Sequence, residues 1–445
     1  MLVAATLLVV GCAAGAGAAP PRLDLRAGDD AAVVAWLDQH LESLLAFYRD
    51  LHAHPELSLA EHRTAAAVAA RLRASGFRVT EGVGGTGVVG VLERGAGPTL
   101  LVRGDMDALP VTEGTGLPYA SRAQAPAPDG GSVGVMHACG HDVHTTVLVG
   151  VGAALAALGD RWAGTVVVIA QPAEEIGRGA AMMIADGLFE RFPRPEAVLA
   201  LHVEPELPAG RIGYTPGFNA ANVDSVDVTI HGRGGHGAYP HETVDPIVAA
   251  AHFVTALQTL VSRRVRPIDP AVVTVGSIHG GSKHNVIPDE VTLQLTVRSY
   301  DDQVRATLLD GIRQMAAGTC DVFRCPAPPT VVVRDEYTPA AYNDPALTAA
   351  AAAMLRTALG DGMVVELPAG MGGEDFGRYA RTLEVPGLML RLGSVDPARF
   401  AASRAPDGPA LPSLHSSGFA PLAAPTVRTG IRALGDLALA LLAPP

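Results

Sequence analysis

Aromatic side chains are scarce in this chain: Phe, Tyr and Trp make up 4% of its 445 residues, while the hydrophobic total is 48%. Much of that excess is alanine, and 50 Gly and 34 Pro accompany it. Such a composition suits a compact chain with many turns and argues against disorder. A basic excess is missing as well. The formal net charge is -12, and no segment resembles the basic stripe that nucleic-acid binding needs, so no nucleic-acid partner is expected. No internal apolar run is long enough to span a bilayer, which points to a soluble body. Only four cysteines are present. Cys320 and Cys325 either pair in an oxidising compartment or stay as buried thiols, while Cys139 has no nearby partner. No internal repeat is found, and Gly232 to Gly237 lacks the Lys-Ser/Thr ending of a phosphate loop.

The N-terminus stands apart from the rest. Leu2 to Val10 is a short apolar run, followed by Gly11-Cys12 and small residues as far as Pro21. That pattern reads as an export signal over residues 1–22, too short for a membrane span. Val9-Val10-Gly11-Cys12 resembles a bacterial lipobox, which would leave Cys12 lipidated and the protein anchored to a membrane by its N-terminus. A plain cleaved signal, with Cys12 lost, is the other reading. Export from a bacterial cytoplasm is therefore expected, to a periplasmic, lipid-anchored or secreted destination.

At this length one ordinary core is exceeded, so two domains are expected. Asp30 to Leu51 has helical apolar spacing, and Ser58 with Glu61 reads as a capping box opening a second helix that stops at Gly76. Strands at Val88–Leu92, Thr99–Val102, Thr165–Ala170 and Ala197–Leu201 are interspersed with helices at Thr145–Leu158 and Ala180–Leu188. This rhythm predicts an α/β fold with a mixed, largely parallel sheet and flanking helices. From Asn219 the pattern changes. Strands at Val223–Ile230, Ala271–Ile278, Glu290–Arg298 and Thr330–Val333, with helices at Asp245–Val261 and Asp302–Met315, predict a small α+β unit of split βαβ type. It occupies residues 219–334, as a domain inserted between segments 23–218 and 335–445, the second of which resumes with a helix at Ala346–Leu359, a strand at Leu388–Leu392 and a helix at Val427–Leu442.

Polar groups gather where strands end. Asp105 and Asp107 follow one strand, Glu174 and Glu175 the next, and His202 closes a third. Sites in open α/β sheets form beyond the carboxyl ends of strands. Cys139 and His141, two apart, can converge on one point from a loop or extended segment, and a thiolate with an imidazole suits a transition metal. With Glu175, His202 and His415 they make five candidate ligands, enough for two close ions sharing one of them. In extended backbone, Glu175 could hold a cation while Glu174 faces a water on it and moves its proton. Hydrolysis is the chemistry expected.

Several segments carry a family resemblance. His52-Ala-His-Pro-Glu-Leu-Ser58, Arg103-Gly-Asp-Met-Asp-Ala-Leu-Pro110, Met136-His-Ala-Cys-Gly-His-Asp142, Gln171-Pro-Ala-Glu-Glu175, Gly234-Gly-His-Gly-Ala238, Asn285-Val-Ile-Pro288 and Gly373-Glu-Asp-Phe376 stand in family order. From about Ala46 onward the chain resembles the amidohydrolase branch of the two-metal aminoacylase/carboxypeptidase metallohydrolases, which includes hippurate hydrolases, N-acyl-amino-acid amidohydrolases and auxin-conjugate hydrolases. The resemblance implies a zinc-peptidase-like fold and hydrolysis of N-acyl amino acids. It implies Cys139, His141, Glu175, His202 and His415 as ligands of two divalent ions, with Cys139 bridging. Zinc or manganese is expected first, with cobalt or nickel also suited to the mixed donors. By the same resemblance Glu174 is the general base, and His236 on the inserted domain, which acts as a lid, steadies the oxyanion. Asn285 lies near the substrate's carboxylate or oxyanion, and Asp107 orients a ligand imidazole. A homodimer through the lid domain is compatible with it.

Two departures bear on substrate choice. The family's acidic segment after His415 is here the apolar Phe419-Ala-Pro-Leu-Ala-Ala, and the loop Ala123 to Ser132 is longer and richer in Pro; both are expected at the entrance. A dipeptidase or carboxypeptidase with the same metals is the near alternative. A surface binding protein on a dead hydrolase fold would have lost Glu174 or a ligand, and none is lost.

Overall fold

The computed structural model describes residues 28–127, 130–335 and 337–444, so the expected export signal and Cys12 lie outside the described residues. Four strands at the centre of an eight-stranded sheet run parallel, in the order Gly164–Gln171, Thr99–Asp105, Ala197–Pro208, Gly387–Val395. Antiparallel strands Gly87–Arg94 and Arg78–Val83 extend one side. On the other side Ile212–Tyr214 runs antiparallel to its inner neighbour, and Val364–Glu366 closes the edge. Alternate residues of the central strands feed two cores. Val166 and Val168 join a large one under helices Asp30–Ala53, His141–Ala157 and Ala423–Leu441, whereas Val167 and Ile169 pack with Met183, Phe376 and Tyr379 on the opposite face. Burial on both faces is why these strands are almost continuously apolar. The sheet is the expected mixed, largely parallel one.

Residues 224–333 build on a second sheet, fully antiparallel, in the order Ala271–His279, Glu290–Ser299, Asp224–His231, Thr330–Val333. Side chains of Asp224–His231 alternate buried and half-buried, and the buried set packs on helices Pro246–Arg264 and Asp302–Phe323 as a separate core. Cys320 and Cys325 are free thiols at the end of the second helix, where the Cys325 amide donates to the Cys320 carbonyl at 2.9 Å. Among the described residues no helix is long and apolar enough to cross a membrane.

Two local expectations fail. Ser58 and Glu61 form no capping box: the helix is His62–Ala74, and the Glu61 side chain caps nothing. Ser58 Oγ instead donates to Asp107 Oδ2 at 2.6 Å, and Glu61 accepts from Thr86 Oγ1 and, at 2.9 Å, from the Ala173 amide. Long-range partners outcompete the local cap. The helix expected from Thr145 begins at His141, because Gly140 adopts a left-handed turn with φ 77° just before it. A Cβ there would stand 2.6 Å from Val203 Cγ2, so both the turn and the packing demand glycine.

One buried ion pair ties three segments together. His52, near the end of helix Asp30–Ala53, places Nδ1 2.7 Å from Asp142 Oδ2 and Nε2 3.1 Å from Glu113 Oε1. Carboxylates only accept, so both ring nitrogens carry protons. Burial alone would discharge the ring, but its bonds to Asp142 and Glu113 outweigh that and raise its pKa to about 10. Beside Glu113, the Gly114 amide donates to Ser417, two residues beyond His415.

Two outcomes follow. Gly140→Ala should lower the unfolding free energy by about 1–3 kcal/mol in denaturant titration. The stabilisation from charged His52 is complete below the unfolded value of roughly 6.5 and is lost as pH rises through about 10. The stability gap between wild type and His52→Gln should therefore narrow across that window in thermal unfolding; a gap independent of pH would mean an uncharged ring.

Candidate metal centre

Three histidines, a cysteine and two glutamates from four separate segments meet at the carboxyl end of the central strands. Ligand-capable atoms of Cys139, His141 and His202 lie within 4.8 Å of one another, and so do those of Cys139, Glu175 and His415. The two triads share Cys139. The Gly140 turn delivers Cys139 and His141 together, the thiol from a loop and the imidazole at the helix start, so of the two backbones expected the loop is found and not the extended one. His415 also has a left-handed backbone, φ 63°, and its amide donates to Ala138 at 2.9 Å, which docks its loop beside the thiol. His415 Nε2 stands 3.4 Å from Glu175 Oε2.

Glu174 and Glu175 are not extended either. Ala173 is left-handed, φ 53°, and residues 174–177 form a turn closed by the Gly177 amide on the Glu174 carbonyl. Asp107 is what fastens it. Its two oxygens accept from the amides of Glu174, at 3.1 Å, and Glu175, at 3.0 Å, and Oδ1 is 3.3 Å from His141 Nδ1. One carboxylate thus aligns a candidate base, a candidate ligand and an imidazole.

Hydrogen bonding sorts the histidines. His202 Nδ1 faces the Val203 carbonyl at 2.7 Å and must donate, which leaves Nε2 unprotonated and 3.5 Å from Cys139 Sγ. His144 accepts the Val203 amide on Nε2 and gives Nδ1–H to Asp105 at 2.6 Å, so it has no lone pair to spare. Neither nitrogen of His141 has a well-directed hydrogen bond, nor has Glu175 Oε1, though all three are buried. Buried polar atoms without partners are uncommon, and here they sit among sulfur, nitrogen and oxygen donors that suit divalent transition metals. The residues fit two ions.

Burial is the largest influence on every group. It raises the Cys139 thiol, reinforced by Glu175, and pushes Glu175 up to about 7 against the pull of His141. It raises Glu174 well above the carboxylate range, helped by Glu374, Glu175 and Asp375. His202 and His415 are lowered, by burial first and then by His144 and His141 respectively. For His141 burial is overcome by Asp105 and then Asp107, which hold it protonated. Divalent cations among these donors would reverse the balance, favouring thiolate, carboxylate and neutral imidazole.

A cavity of about 630 Å³ opens on this centre, lined by Cys139, Glu174, Glu175, His202 and His415 among others. His236 and Asn285 do not line it. They adjoin one another on the lid, where the Gly237 amide donates to the Asn285 carbonyl at 2.9 Å, and both are exposed. The two segments expected at the entrance are absent from its lining too. Phe419 is buried in the large core whereas Leu422 of the same stretch is exposed, and Ala123 lines a different cavity.

Residues that sequence reasoning passed over also contribute. Arg103 is buried with its guanidinium on Gln171, Asp105, Glu374 and Asp375. Glu374, Asp375 and Glu174 present oxygens within 4.8 Å of one another. Arg298 and Arg391 line the cavity. A positive charge inside a mostly apolar strand was the available signal for Arg103 and Arg391.

Comparison with known proteins agrees with this geometry. The model for peptidase family M20/M25/M40 matches residues 101–407. The N-acetyl-L-cysteine deacetylase of Bacillus subtilis is 42% identical over 265 residues, spanning 59% of this chain and 61% of that one. Thermostable carboxypeptidase 1 of Saccharolobus solfataricus is 35% identical over 356 residues, 79% of this chain and 86% of its own. Among solved structures, the YXEP protein of Bacillus subtilis, a dinuclear metal binding peptidase from the M20 family, aligns with a TM-score of 0.73 and 29% identity, covering 91% of this chain and 99% of that one. The chain belongs to the M20/M25/M40 peptidase family, and is a metal-dependent hydrolase of carbon–nitrogen bonds with two divalent ions at its centre.

Proposed function

We propose that the protein hydrolyses the amide bond of N-acyl amino acids. The observation that carries this reading is the pair of donor triads sharing Cys139, with Glu174 outside both yet facing the same cavity. Cys139, His141, His202, Glu175 and His415 would hold two divalent ions, which when bound polarise an amide carbonyl and activate water. Zinc or manganese is the first choice, with cobalt or nickel accommodated by the same donors. Glu174 takes the proton of the attacking water on a carboxylate oxygen and returns it to the leaving nitrogen. Its burial beside Glu374 and Asp375 suits a carboxyl that must hold a proton between the two transfers.

His236 is the donor proposed for the oxygen that gains charge. Its Nδ1 accepts the Ala238 amide at 3.0 Å, so Nε2 carries the hydrogen. Because it lies off the cavity in the conformation described, this role requires lid movement. Asn285 beside it would contact the substrate after the same movement. Export through residues 1–22, with or without a lipid on Cys12, belongs to this reading, as does a lid-paired dimer, for which exposed Ile278 and Val286 are the supporting observation. The carboxypeptidase name of the Saccharolobus relative favours a second reading, cleavage of short peptides by the same centre.

Metal-reconstituted protein should cleave N-acetyl amino acids or hippurate faster than dipeptides; the reverse order would install the peptidase reading. Glu174→Ala should reduce kcat by about 10²–10⁴-fold while retaining two metals per chain by elemental analysis. Loss of metal along with activity would remove Glu174 as the base. His236→Ala should lower kcat at unchanged metal content, and normal turnover would take the lid out of the chemistry.

A further inference from the structure

Every residue of the Gly387–Val395 strand is uncharged except Arg391. In the parallel ladder Arg391 is registered with His202, so the two side chains leave the same face of the sheet, one strand apart, about 5 Å. Arg391 lines the same cavity as the metal donors. Its Nε and Nη2 stand 3.3 and 3.2 Å from Asn219 Oδ1. Among the described residues it has no ion pair, Glu204 on the neighbouring strand included, whereas Arg103, Arg305 and Arg432 are each matched with carboxylates. Asn219 is 1% exposed, and its Nδ2 has no hydrogen-bond partner. A guanidinium with no carboxylate paired to it is unfavourable in a protein wall unless an anion meets it, and Asn219 behind it holds its orientation.

We propose that Arg391 and Asn219 form the subsite that holds the free carboxylate of the substrate, selecting N-acyl amino acids over neutral amides. This deepens the reading above and rests on it for the rest of the substrate. The guanidinium would accept the carboxylate through nitrogen–hydrogen bonds not spent on Asn219, with Asn219 fixing the plane of the fork. Scissile carbonyl and carboxylate then span adjacent strands, the distance an amino-acid unit covers. Arg298, on the lid strand Glu290–Ser299, is the cavity's other guanidinium without an ion pair, its Nε on Thr296 Oγ1 at 3.0 Å, and supplies the control.

The test uses metal-loaded Glu174→Ala protein, which keeps the ligand uncleaved, titrated calorimetrically with hippurate and with its carboxamide, N-benzoylglycinamide. Hippurate should bind at least tenfold tighter. Adding Arg391→Ala should weaken hippurate by about 10- to 100-fold and leave the carboxamide within about twofold, with Arg391→Lys intermediate and Asn219→Ala weakened in the same selective sense. No preference for hippurate, an equal loss for both ligands, or a selective loss in Arg298→Ala with none in Arg391→Ala overturns the assignment. Hydrolysis is read separately in the Glu174-containing protein. Acid-selective binding through Arg391 without cleavage would defeat the proposed activity and leave the subsite standing.

Discussion

Asp107 is the constraint on which the rest of the centre depends. A single buried carboxylate accepts from Ser58 and from the amides of Glu174 and Glu175, and faces His141. Burial would favour its neutral form, but the His141 imidazole beside it, the Ser58 hydroxyl and the Glu175 amide hold its pKa below the usual value. As an anion it can accept on both oxygens at once. That bidentate grip fixes a turn that carries both glutamates, Glu175 within the donor triad of Cys139 and His415 and Glu174 outside it on the same cavity. The left-handed Ala173 shows that the backbone there is held by its surroundings, since local preference alone would not select it.

Charge balance around that grip is distributed over layers. Arg103 is ion-paired with Asp105, Glu374 and Asp375, and Asp105 in turn holds His144 in a single tautomer. His52 does the same one layer out, between Asp142 and Glu113, and the loop beyond Glu113 touches the segment that carries His415. Groups far apart in the chain are thus coupled by buried, charge-assisted hydrogen bonds, each stronger than a neutral one. Breaking any member leaves an unpaired buried charge, so the framework is stiff where the ions must sit.

The candidate groups are divided between the two halves of the molecule. The half built on the large sheet supplies all five candidate ligands, the proposed base and Arg391. The lid supplies Arg298 and, at a remove, His236 and Asn285. Its core is separate from that of the large sheet, and the closure proposed for it would move that core as a unit.

Periodicity in the sequence determined the helices, the strands and the antiparallel unit, because burial on one or two faces leaves a direct imprint on residue order. The acidic and imidazole groups after Thr99–Asp105, Gly164–Gln171 and within Ala197–Pro208 were legible for the same reason, and the motifs supplied Cys139, His141 and His415. Tertiary structure decided what local rules misjudged. Ser58 and Glu61 look like a helix cap yet serve Asp107, Thr86 and Ala173, partners far along the chain. Glu174 and Glu175 look extended but sit in a turn, because Asp107 pins their amides. Arg391 gains meaning only when strand register sets it beside His202 and Asn219. Local sequence encodes which face is buried; which distant charge will be found there is settled only when the strands pair.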